Sequence, residues 1–71
     1  MDAYVKLLNI DTPILIPAYQ KVVSISKDSG QVKEISDVAL YRFETGNYYI
    51  FKGNSILHVD GSRIEYVFFQ R

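Results

Sequence analysis

The chain has no cysteine and no tryptophan, a single histidine, two prolines and no net charge. Each shortage removes a class of explanation. Without cysteine there is no disulfide and no thiolate zinc site, and the composition suits a reducing compartment. One histidine, His58, leaves little from which to build a metal centre. Eight basic side chains balance eight acidic ones, whereas a nonspecific nucleic-acid binder carries a basic excess that displaces phosphate counterions. The charges alternate in sign, as in Lys27/Asp28, Lys33/Glu34, Arg42/Glu44 and Arg63/Glu65, which is the pattern of a solvated mixed surface.

Long apolar runs are absent too. The longest uncharged stretch, Thr12 to Gln20, is broken by Pro13 and Pro17 and is too short to span a bilayer. No basic start leads into an apolar run, so no signal peptide is expected. These features predict a soluble, cytoplasmic protein with no membrane segment.

What is present is a globular composition, 48% hydrophobic and 23% charged, which argues against disorder. With 71 residues the expectation is one domain, residues 1–71, of marginal stability unless its core or a partner assists. Tyr, Ile, Val and Phe dominate, and their periodicity is two, as in half-buried strands. Gly30, Gly46, Gly53 and Gly61 punctuate short β-rich runs.

Three turns organise the expected strands. Asp28-Ser29-Gly30 reads as a three-residue hairpin loop that puts Val23, Ile25 and Ile35 on one face. A turn at Thr45-Gly46-Asn47 would put Ala39, Tyr41, Phe43, Tyr48 and Ile50 on the core face. Val38, Leu40, Arg42, Glu44, Tyr49 and Phe51 would lie on the other. Asp60-Gly61 reads as a two-residue turn that sets Leu57, Val59, Ile64, Tyr66 and Phe68 inward. Ile56, His58, Arg63, Glu65, Val67 and Phe69 would then face outward. Residues 1–20 hold a first strand, Ala3 to Ile10, and a Pro-containing segment restricted to a loop, an edge strand or a short helical turn. Residues 21–71 form an antiparallel meander. The expected fold is all-β, five to six strands curled into an SH3-like or OB-like partly open barrel; a sandwich is disfavoured by the length.

No chemistry-bearing motif emerges. His58 and Asp60 share a strand face, but Asp60 is explained by its turn and His58 by a polar cross-strand cluster with Arg63 and Glu65. No phosphate-cradling loop, nucleophile elbow or calcium loop is present. The prediction is no enzyme, no cofactor and no metal.

By exclusion, the chain reads as a protein-binding module. It would act as a homodimer or as a small regulatory or inhibitory accessory factor. Its interface would be an apolar-aromatic sheet face of Leu40, Arg42, Tyr49, Phe51, Ile56, Val67 and Phe69, with Arg, Tyr and Phe as favoured anchors. The alternative is a small nucleic-acid-binding barrel that stacks bases on Tyr48, Tyr49 and Phe51 beside Lys52.

Overall fold

The computed structural model describes all residues, 1–71. It is all-β: seven strands, one short 3₁₀ turn and no α-helix. The strands are β1 (Asp2–Leu7), β2 (Ile14–Ile16), β3 (Lys21–Ser26), β4 (Val32–Ile35), β5 (Asn47–Lys52), β6 (Ile56–Asp60) and β7 (Ile64–Gln70). They form two antiparallel sheets, a three-stranded β2-β1-β7 and a four-stranded β4-β3-β5-β6. No ladder closes the two into a barrel. No helix is present that is long and apolar enough to cross a membrane.

β1 shows strict alternation. Ala3, Val5 and Leu7 are buried, while Asp2, Tyr4 and Lys6 are not, as a strand with one core face requires. β2 is an edge strand bracketed by Pro13 and Pro17, where a missing N–H costs no ladder bond. The segment after it carries the chain from one sheet to the other. There the Asn54 N–H donates to the Pro17 carbonyl and the Gln20 N–H to the Lys52 carbonyl, both at 2.8 Å.

The sheets share one core. Ala3, Val5, Leu7 and Ile16 come from the three-stranded sheet; Val22, Ile35, Tyr49, Phe51 and Val59 come from the other. Val67 and Phe69 of β7 pack against this cluster.

The β3–β4 hairpin forms, with Gly30 in the left-handed region at φ 73°. Its loop is one residue longer than expected, since Ser26 N–H bonds to the Gln31 carbonyl. Val22, not Val23, therefore stands opposite Ile35. A slip of one residue moves every side chain to the other face.

The two later turns act differently from the expectation. Residues 36–46 are neither a continuation of β4 nor a partner of β5; β5 pairs with β3 instead. The Asn47 N–H does reach the Glu44 carbonyl, but no ladder precedes that turn. Asp60-Gly61 does not join a hairpin. It opens a 3₁₀ turn, Gly61–Arg63, with the Asp60 carboxylate accepting from the Ser62 N–H at 2.9 Å. This turn sends β7 away from β6 to pair with β1 in the other sheet. Gly61 is needed for space rather than for positive φ. It is buried, and a Cβ there would strike the Glu44 carbonyl and lie 2.8 Å from that of Asn47.

Candidate functional site

The face sorting of β5 and β7 is the reverse of the sequence expectation. Tyr49 and Phe51 are 0% exposed, so neither lies on a surface. Tyr48 is exposed on the opposite side. The expectation linked these residues to Phe43 through a hairpin. With residues 36–46 unpaired, that link of parity disappears. The segment instead folds over Tyr49 and Phe51. Phe43 sits 4.9 Å from the Tyr49 ring and 5.6 Å from that of Phe51, and Tyr41 meets Phe43 edge-on at 5.1 Å. The Tyr49 hydroxyl accepts from the Glu44 N–H at 2.7 Å and the Asn47 side-chain amide at 3.1 Å.

The remaining expected interface residues are scattered. Leu40 is 85% exposed and Ile56 62% exposed, but Leu40 lies in the 36–46 segment and Ile56 starts β6. Arg42 is exposed in the same segment as Leu40. Val67 and Phe69 are half-buried and turned toward the core. Lys52 is half-buried, opposite Lys21 and Ile56. His58 stands opposite Ile50, not Arg63, and no three potential metal ligands gather anywhere.

A different set does come together, on the outer face of the three-stranded sheet. Register places Leu15, Tyr4 and Phe68 in one row across β2, β1 and β7. Tyr66 lies two residues along β7, opposite Lys6. Leu15, Tyr66 and Phe68 are each more than two-fifths exposed. The Tyr4 and Phe68 rings stack at 4.6 Å and 3°, and the Tyr66 ring follows at 6.1 Å. Lys6 and Glu65 border the row with an ion pair at 2.8 Å. At the other end the Asp2 carboxylate accepts from the Ala18 N–H at 3.0 Å.

The sequence held a signal for part of this set. In "DAYVKL" the apolar Ala3, Val5 and Leu7 alternate with Asp2, Tyr4 and Lys6, which marks Tyr4 as outward. Tyr66 and Phe68 were hidden by the expected Asp60-Gly61 hairpin, which set them inward.

The outer face of the four-stranded sheet is more mixed. Ile25, Tyr48, Ile50 and His58 line a groove of about 440 Å³ there. The Lys27 ammonium lies 5.1 Å from the Tyr48 ring centroid and bonds the Asp60 carboxylate at 2.6 Å. These two partners hold the Asp60 carboxyl down at about 2: the Lys27 bond first, then the Ser62 N–H.

No family model, no curated protein and no solved structure matches this chain.

Proposed function

We propose that this chain is a non-enzymatic protein-binding module, self-associating or serving as a small regulatory accessory factor, with the row Leu15, Tyr4, Phe68 and Tyr66 as its contact surface. The observation that carries this reading is the exposure of a contiguous apolar-aromatic row with a polar border. Such a patch on a small soluble domain marks association, and tyrosine and phenylalanine are residues that interfaces favour. The absence of cysteine suits a reducing compartment such as the cytoplasm.

The finer fold reading goes with it. β1 meets the last strand, a 3₁₀ turn precedes that strand, and β2 and β3 are joined by a corner between the sheets. This connectivity supports an SH3-like, partly open barrel, with β4 as an addition beyond β3.

The nucleic-acid alternative is less well supported. Base stacking needs a ring face open to solvent. Tyr4 and Phe68 present a face to each other, and Tyr66 stacks on Phe68 in turn. The adjacent cation, Lys6, is tied to Glu65.

Sedimentation velocity from low to high micromolar concentration tests the self-associating form. A concentration-dependent rise in mass is expected, abolished by Phe68→Lys with the circular dichroism spectrum unchanged. A monomer throughout removes that form. A salt titration with single-stranded DNA is expected to show no binding slope; a clear slope would favour the alternative.

A further inference from the structure

The two sheets leave four edge strands: β2, β7, β4 and β6. An open edge is a row of unpaired N–H and C=O groups, and proteins blunt such edges with brevity, proline or charge. Three of the four are blunted. β2 has 3 residues between Pro13 and Pro17. β4 has 4, including Lys33 and Glu34. β6 has 5 and carries His58 and Asp60. β7 is the exception. It is the longest strand, with 7 residues, "IEYVFFQ", and it contains no lysine, proline or glycine. Its only charge, Glu65, is occupied by Lys6, and its register shift is confined to its start, opposite Lys6 and Leu7. Its second side pairs with no strand, and apart from the Ile64 N–H, which bonds the Gly61 carbonyl, no loop backbone bonds to residues 64–70.

Deepening the protein-binding reading and resting on it, we infer that the partner is a second copy of this chain, joined edge to edge through antiparallel β7–β7 pairing about a two-fold axis at Val67. The register follows from the sequence. Residues opposite each other in a pleated sheet must point to the same face, so only even offsets are allowed. Among these, the axis at Val67 is centred on the strand; Ile64 stays outside the pairing, because the register shift turns it to the core side opposite Leu7 while Gln70 lies opposite Asp2. Tyr66 then faces Phe68 of the second copy on the outer side, an aromatic cross-strand pair of the kind that stabilises sheets. Zero net charge leaves no long-range repulsion between copies. The product is a six-stranded sheet that extends the aromatic row across the axis.

The chain has no cysteine, so a single introduced thiol reports the register directly. Two Val67 residues on the axis would have Cα atoms about 4.5–5.5 Å apart, within the disulfide range of about 4.4–6.8 Å. Val67→Cys under mild oxidant is therefore expected to give a dimer of doubled mass on a non-reducing gel. Glu65→Cys, which faces Phe69 of the second copy, should not. On the wild-type chain, hydrogen exchange should show the alternate β7 amides that β1 does not use becoming protected as concentration rises. Association that is lost in Leu15→Lys, yet gives no Val67→Cys disulfide and no concentration-dependent protection of β7, overturns edge pairing and leaves the face reading standing. A wild-type monomer at every concentration overturns edge pairing and self-association together.

Discussion

The hydroxyls of Tyr41 and Tyr49 lie 2.8 Å apart, one on the segment 36–46 and one on the buried face of β5. This contact ties an irregular segment to the core. The Tyr49 oxygen also accepts from the Glu44 N–H and Asn47 Nδ2. Tyr49→Phe keeps the ring and removes all three bonds. It should destabilise the fold by about 1–3 kcal/mol, since donors at the core's rim lose their acceptor. Urea denaturation checks this. Tyr41→Phe should cost less, because it removes one of the three bonds.

The same pair makes the fold sensitive to alkali. Burial, and then the hydrogen bond to Tyr49, push the Tyr41 hydroxyl from its ordinary 10 up to about 12. A raised pKa means that the folded state holds the proton more tightly. The resulting stabilisation is full below pH 10 and is lost as pH climbs from 10 toward 12. Melting temperature should fall over that window, and fall less steeply in Tyr41→Phe.

Asp60 produces the opposite dependence. Its carboxyl titrates at about 2 instead of 3.8 because of Lys27 and the Ser62 N–H. A lowered pKa gives stability that is present above pH 3.8 and disappears as pH drops toward 2. Asp60→Asn should flatten this part of the acid unfolding curve. An unchanged curve would show that the Lys27 pair does not hold in solution.

Gly61→Ala should destabilise by about 1–3 kcal/mol, the range for forcing extra volume into a packed site. The obstacle is backbone, the carbonyls of Glu44 and Asn47, which a rotamer change cannot relieve. Gly46→Ala is the control, with nothing within 4 Å of the added carbon. Its thermal melt should stay close to that of the parent chain.

Adjacent residues on β5 should differ sharply. Phe51→Ala is expected to cost about 3–5 kcal/mol, a large share of what a small domain has at roughly 0.05–0.15 kcal/mol per residue. Tyr48→Ser, on the exposed side, should cost about 1 kcal/mol or less. Chemical denaturation of the two variants side by side measures the inversion of faces directly.

Much of the local structure was legible. Period-two alternation marked a strand from Ala3, although it ends at Leu7 and not at Ile10, and the Asp28-Ser29-Gly30 signal marked the β3–β4 hairpin. Which face of β5 is buried was not legible, because strand alternation says only that Tyr48 and Tyr49 point opposite ways. The choice between them depends on what lies across the strand. Phe43 and Tyr41 make that choice from an irregular segment with no period of its own. The aromatic row was half legible for the same reason: Tyr4 is marked by its neighbours, while Phe68 depends on the strand with which β7 pairs.

From the amino-acid sequence alone follow the β class, the lack of cysteine chemistry in these residues and the positions of most strand breaks, since these depend on residue type and near neighbours. The tertiary structure decided the two-sheet division, the burial of Tyr49 and Phe51 and the exposure of Phe68. The burial of Tyr49 and Phe51 turns on the 36–46 segment that covers them; the other two turn on one connection, the 3₁₀ turn at Gly61–Arg63. It delivers β7 to β1, fifty-nine residues from Lys6 to Glu65 along the chain, and no local preference encodes a pairing over that distance.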